Sequence, residues 1–146
     1  MTALDVSSST HRRPVPAPDD VTGFFWNAAA DQRLVVQRCA ACSNLQYPPE
    51  VCCIACQAQE FEEAELSGRG VIYSYATVER PLHAGFVDVL PYVVVLVELE
   101  EQPGLRLLTN LVDIPEGTTL SCGTPVEITY EQRGKVTLPQ FRLALR

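Results

Sequence analysis

The sequence predicts a mainly β protein in which an N-terminal helix and a short cysteine-rich ribbon precede a five-stranded barrel. Two observations predict this fold. Two C-x2-C pairs are separated by ten residues in the first half of the chain, and after residue 67 short runs of β-branched and aromatic residues alternate with turn residues. A chain of 146 residues is long enough for one domain with an ordinary hydrophobic core and one small unit held together by its cysteines.

The first 33 residues are predicted to form a tail and a helix. Residues 1–18 are rich in Ser, Thr and Pro, which predicts a flexible or extended tail with basic side chains such as Arg13 in solvent. Residues 19–33 begin with two acidic N-cap candidates and are predicted to be helical. The adjacent aromatic residues Phe24 to Trp26 cannot share one narrow helical face. We therefore expect some of them to pack on the β structure or on a partner protein.

The cysteines of residues 34–67 predict a zinc ribbon between two short strands. Each C-x2-C knuckle presents two thiolates, and four thiolates close the tetrahedral coordination of Zn²⁺, which makes the site structural. Redox C-x-x-C motifs and a labile iron–sulfur cluster are alternatives that this spacing leaves open. Cys52 leaves an ambiguity of register, and Cys122 is expected to be a buried or half-buried thiol. The predicted ligands are Cys39, Cys42, Cys53 and Cys56.

Residues 68–146 are predicted to form a small closed β-barrel. Five antiparallel strands in so short a segment are too few for a large sandwich but suit a barrel of the OB type. Pro139 lies within the last run and is expected at an edge or a bulge. A helical turn is expected over residues 115–125. The predicted strands are 71–78, 92–99, 105–112, 125–132 and 136–145.

Charge and hydropathy point away from several functions. The net charge of −7 would repel phosphate backbones, so nucleic acid is not an expected partner. No run of apolar residues is long enough to span a membrane, and residues 1–9 lack the features of a secretory signal. These observations predict a cytoplasmic protein in a reducing compartment, where cysteines serve as metal ligands more often than as disulfides.

Several longer segments carry a family resemblance. LVVQRCAAC, SGRGVIYSYATVERP, GFVDVLPYVVVLVEL and LRLLTNLVD resemble a family of zinc-ribbon plus OB-fold proteins, once catalogued as a domain of unknown function and associated with acyl-CoA. The resemblance implies a rubredoxin-like zinc ribbon followed by a five-stranded OB-fold barrel. It also implies that Ser43 and Gln57 stand where the knuckles of the family commonly carry Gly.

The resemblance implies a non-catalytic accessory subunit of a thiolase-like or aldolase-type CoA-thioester enzyme, in a hetero-oligomer that degrades lipid or aromatic compounds. The sequence fits this role because it shows no triad, no Gly-rich phosphate loop and only two histidines. A stand-alone acyl-CoA binding module is an alternative. A single-stranded nucleic-acid binder is a weaker one, because the chain lacks a basic groove.

The loop between the first two barrel strands is the predicted contact for a CoA thioester. OB barrels use such loops for ligands. Arg80 and His83 are expected to meet CoA phosphates, and Phe86 is expected to pack on the acyl group. In the competing interpretation, Arg80 pairs with a surface carboxylate and Phe86 fills the barrel mouth.

Overall fold

The computed structural model describes residues 12–145, which form a small three-stranded sheet followed by a closed barrel. The helix α1 spans Gly23–Ala30, and the ribbon strands are β1 (Leu34–Cys39), β2 (Leu45–Gln46) and β3 (Phe61–Leu66). The barrel strands are β4 (Arg69–Val78), β5 (Tyr92–Leu99), β6 (Arg106–Leu111), β7 (Pro125–Arg133) and β8 (Val136–Leu143). A 3-10 helix at Ala84–Val89 lies in the loop between β4 and β5.

The barrel closes in the strand order β4-β5-β6-β8-β7, which confirms the predicted mainly β fold with a five-stranded barrel. All neighbouring strands are antiparallel except β6 and β8, which are parallel and share one register pair, Leu111 with Phe141. Near this seam the Thr109 hydroxyl donates a 2.7 Å hydrogen bond to the carbonyl of Pro139. Pro139 is therefore tolerated inside a barrel strand because the neighbour on one side is barely paired.

The expected helical turn over residues 115–125 is wrong. The segment forms turns instead, and Gly117 and Gly123 adopt φ angles of +79° and +88° there. A left-handed residue ends a right-handed helix, so two of them within seven residues leave no room for a helical turn. The short helix of the barrel lies in the loop between β4 and β5 instead.

The helix α1 packs between the ribbon and the barrel. The Asp19 carboxylate accepts hydrogen bonds from the backbone N–H groups of Val21 and Thr22, which forms a turn just before the helix. Phe25 is 2% exposed and meets Trp26 edge to face with a ring centroid distance of 4.9 Å. Packing on the β structure thus accounts fully for Phe25, whereas Phe24 and Trp26 pack against the core and stay half-buried.

One hydrophobic core runs from the ribbon into the barrel. It joins Val36 and Ala64 of the ribbon sheet to Val95 and Phe141 of the barrel. Two hydrogen bonds also link the parts: Leu45 N donates to Gln102 Oε1 at 2.9 Å, and Gln102 Nε2 donates to Leu45 O at 2.8 Å. The division of the chain after residue 67 stays a prediction, because the core is continuous across it.

The N-terminal segment contacts the barrel where it can be described. Most of the predicted tail, residues 1–11, lies outside the described residues. The expectation that Arg13 sits in solvent is wrong, because its Nε donates a 3.0 Å hydrogen bond to Gly85 O and its guanidinium lies over Phe86. Within residues 12–145, no helix has the length and apolar character needed to cross a bilayer.

Candidate functional site

The four predicted ligands form a compact cluster of sulfur atoms. All four Sγ atoms lie within 4.8 Å of one another, with Cys39 3.5 Å from Cys56 and Cys42 3.6 Å from Cys53. Zn–S bonds of about 2.3 Å in a tetrahedron place the sulfurs about 3.8 Å apart. The donor set and its spacing therefore fit a zinc ion with four thiolate ligands.

The two knuckles repeat one backbone pattern. Ser43 N donates to Cys39 O and Gln57 N donates to Cys53 O, each at 2.9 Å. The backbone N–H of Cys42 lowers the pKa of Cys39, and the backbone N–H of Cys56 lowers the pKa of Cys53 to about 6. At Cys39 and Cys53 these hydrogen bonds to sulfur favour the thiolate, which is the form that binds a metal, whereas burial and the neighbouring thiols raise the pKa of Cys42 and Cys56.

Two buried glutamines hold the second knuckle against the ribbon sheet. Gln46 Nε2 donates to Gln37 Oε1 at 2.9 Å and to the carbonyl of Cys52 at 3.2 Å, while Gln46 Oε1 accepts a 3.0 Å bond from Ile54 N. Gln37 in turn bonds both the N–H and the carbonyl of Glu50. Buried amides satisfied in this way fix the loop on either side of Cys53.

The two remaining cysteines lie outside the cluster. Cys53 belongs to the four-sulfur group and Cys52 does not, in agreement with the preferred register. The expectation that Cys122 is buried or half-buried is wrong, because this thiol is exposed. It lies in the turn before β7, beside Gly123.

The knuckle positions without Gly adopt the left-handed conformation. Ser43 and Gln57 both have a φ of +65°. This region disfavours residues that carry a Cβ, so each of them adds strain on the order of 1 kcal/mol to its knuckle. The departure from Gly that the family resemblance implied thus has a local energetic cost.

Replacing Ser43 or Gln57 by Gly is expected to stabilise the ribbon by up to about 1 kcal/mol per site, because Gly tolerates a positive φ. Competition with a chromophoric chelator measures the corresponding gain in zinc affinity. Ala41→Gly is the control, since Ala41 is an exposed knuckle residue without a positive φ and should gain nothing. Weaker zinc binding in Ser43→Gly would contradict the prediction.

The structure brings together two of the three predicted CoA-contacting residues. His83 and Phe86 have ring centroids 6.1 Å apart, and His83 Nδ1 accepts a 3.0 Å hydrogen bond from Gly85 N. Arg80 is exposed in the same loop and forms no hydrogen bond or ion pair with residues 12–145. The competing interpretation, in which Arg80 pairs with a surface carboxylate, is therefore not seen in this part of the chain.

Two further residues that the sequence did not single out surround Phe86. The Arg13 guanidinium lies 5.7 Å from the Phe86 ring centroid, and the Tyr92 ring lies 5.4 Å from it. These three residues line a cavity of about 140 Å³. Arg13 lies in a segment without hydrophobic period, so no local pattern could have linked it to the loop.

Comparison with known proteins identifies the family. A model described as the ChsH2 rubredoxin-like zinc ribbon domain matches residues 26–62, and one described as the ChsH2 C-terminal OB-fold domain matches residues 63–131. The chain belongs to the ChsH2-type DUF35 family. The zinc-ribbon match agrees with the geometry of the four cysteines.

The proteins that are similar to this chain include two that are named as enzyme subunits. The chain is 43% identical over 91% of its length to a probable enoyl-CoA hydratase alpha subunit of Thermomonospora curvata, and it spans only 40% of that relative. It is 31% identical to the benzoylsuccinyl-CoA thiolase subunit BbsA of Thauera aromatica, over 74% of this chain and 83% of that one.

A solved structure of the same family superposes well. It is described as an Ltp2-ChsH2(DUF35) aldolase and matches with a TM-score of 0.78 and 42% identity, over 90% of this chain and all of the matched chain. A DUF35 protein of unknown function from Sulfolobus solfataricus matches with a TM-score of 0.61 at 14% identity, which shows the fold alone.

Proposed function

We propose that this chain is a non-catalytic accessory subunit of a thiolase-like or aldolase-type CoA-thioester enzyme, which it helps to assemble and to bind acyl-CoA. The observation that carries the proposal is the Ltp2-ChsH2(DUF35) aldolase structure, because a chain matched over its full length there is named together with a second component. The similarity to a thiolase subunit over 83% of its length supports the same role.

Zinc has a structural role in this proposal. Cys39, Cys42, Cys53 and Cys56 would hold the ion, which when bound supplies a cross-link between the two knuckles. Four thiolates leave no coordination position for water or substrate, so the ion has no means to activate either. The chain's own contribution is to orient the thiolates through the knuckle N–H groups and the two buried glutamines.

The residues of the loop between β4 and β5 also support a role in which the partner subunit supplies the catalytic residues. A nucleophile needs a base within hydrogen-bond reach, and His83 is the one histidine among residues 12–145. Its Nδ1 accepts a hydrogen bond from Gly85 within its own turn. A second subunit would therefore have to supply the nucleophile and base of a thiolase or aldolase reaction.

Native co-purification tests the proposed role. The tagged chain is expected to recover a thiolase-fold subunit in a stable ratio, identified by mass spectrometry of a complex that survives size-exclusion chromatography. An untagged lysate passed over the same resin is the control. Recovery of the chain alone, at a concentration where it is folded and contains zinc, would refute the accessory role.

Replacing Arg80 by Ala is expected to weaken binding of an acyl-CoA to the assembled complex by about ten- to a hundredfold, because a charged hydrogen bond to phosphate contributes about 1.5–3 kcal/mol. Isothermal titration of the complex with an acyl-CoA measures the change. Lys135→Ala removes an exposed charge in the turn between β7 and β8 and should leave the affinity unchanged. Equal affinities of wild type and Arg80→Ala would remove Arg80 from the proposal.

A further inference from the structure

A groove of about 380 Å³ lies between the start of α1, the loop that leads into the second knuckle and the first three residues of β3, on the ribbon and away from the loop between β4 and β5. Its apolar residues come from three separate parts of the chain. Gln37 of β1 lies beside them, opposite Glu63 in the ribbon sheet. The apolar lining residues are Val21, Phe24, Val51 and Phe61.

The apolar side chains of the groove are accessible from outside. Val51 is 68% exposed, and Phe24 and Phe61 are half-buried. Phe24 packs against the shared core on one side and is left half-buried, as is Trp26, but only Phe24 of the two lines this groove. An aromatic ring beside an exposed valine is typical of a surface that a partner covers.

The rim of the groove is strongly acidic. The groove holds four of the chain's eighteen acidic residues and none of its eleven basic residues. These carboxylates form no ion pair with a cation of residues 12–145, although six arginines of that segment do pair with other glutamates. The acidic residues that line the groove are Asp20, Glu50, Glu62 and Glu63, and of these Glu62 lies opposite Arg38 in the ribbon sheet, with its side chain on the other face from Glu63.

We infer that this groove is the docking site for a segment of the thiolase-like subunit that carries an apolar side chain flanked by Lys or Arg, an inference that rests on the function proposed above. An apolar side chain would cover Phe24 and Val51, and basic neighbours would meet the unpaired carboxylates. Complementary charge fixes orientation and excludes acidic partners, because like charges brought together cost several kcal/mol. The groove therefore favours a segment that is both apolar and positively charged.

Two pairs of variants separate the groove from the rest of the surface. Glu50→Lys with Glu63→Lys reverses two rim charges, and Asp31→Lys with Glu116→Lys makes the same change in net charge at exposed acidic residues outside the groove. Val51→Ser removes an apolar contact of the groove. Ile54→Ser is its match, because Ile54 is 72% exposed only three residues further along the chain and does not line the groove.

Affinity for the purified thiolase-like subunit is measured by calorimetry, after zinc content has shown that each variant is folded. The groove variants are expected to bind at least about tenfold more weakly, while both control variants bind like wild type. Raising the salt concentration should weaken the wild-type complex more than that of the Lys variant.

Two results would overturn the inference and can be told apart. If the wild type binds the subunit and the groove variants bind as tightly, the groove is not the docking site and the accessory function stands. If the wild type does not bind any thiolase-like subunit, the accessory function fails and the docking site with it. A dimer of this chain that Val51→Ser dissociates would assign the groove to a second copy and also overturn the inference.

Discussion

Replacing Cys53 by Ser is expected to remove the zinc and to disorder both knuckles, with metal content falling from about one ion per chain to near zero. Cys53 is fully buried in the cluster, and the three remaining thiolates hold zinc far more weakly than four. Elemental analysis measures the metal. Hydrogen exchange should rise most between Cys39 and Phe61, because the metal cross-links the two knuckles in this segment.

Cys52→Ser is the matched control for this change. Cys52 is adjacent in sequence, but its sulfur lies outside the cluster, so zinc content and hydrogen exchange should stay at the wild-type level. Exchange at Val36 should rise less than exchange in the knuckles, because this residue also packs in the core shared with the barrel. Iron in the purified wild type, or a full complement of zinc in Cys53→Ser, would contradict the zinc site.

Replacing Phe141 by Ala is expected to destabilise the protein by about 4 kcal/mol, because it opens a large cavity in the barrel core. Phe141 is fully buried and lies opposite Leu111 of β6 and Ile128 of β7, where the barrel closes. Urea unfolding in the presence of zinc measures the loss. The single tryptophan, Trp26, packs against the same core and supplies a fluorescence signal.

Leu108→Ala controls for the loss of a large apolar side chain from the barrel. Leu108 lies on β6 and is 63% exposed, so the free energy of unfolding should change by less than about 0.5 kcal/mol. Phe141→Leu should fall between the two variants. A destabilisation of Phe141→Ala no larger than that of Leu108→Ala would show that the barrel does not close around this residue.

The sequence predicted the barrel well because its strands are set by local patterns. The run Tyr92–Leu99 contains four valines and forms β5, which pairs with β4 on one side and β6 on the other. The strand β2 was missed because two residues, Leu45 and Gln46, carry no period. The parallel pairing of β6 with β8 was not predicted either, because it depends on the order of the strands in the barrel and not on their composition.

The spacing of the cysteines in the sequence predicted the metal ligands, but it did not predict the residues that surround them. Four cysteines in two C-x2-C pairs define the cluster because a short turn forces both thiols to one side. Gln37 and Gln46 support the cluster through hydrogen bonds to residues 50–54, and no sequence pattern indicates these contacts. Likewise, the groove near Phe24 is lined by residues from distant parts of the chain. The three adjacent aromatic residues, Phe24 to Trp26, were the only part of the sequence that indicated a partly exposed apolar surface there.

The two hydrogen bonds between Leu45 and Gln102, together with the core that joins the ribbon to the barrel, have a consequence for assembly. A ribbon on a flexible linker would lose orientational freedom whenever a partner bound it, and that entropy loss would weaken the complex. In this protein the ribbon loses its orientational freedom relative to the barrel during folding, before any partner binds. The ribbon is thus presented to any partner in one preorganised orientation, and more of the contact free energy is retained as affinity.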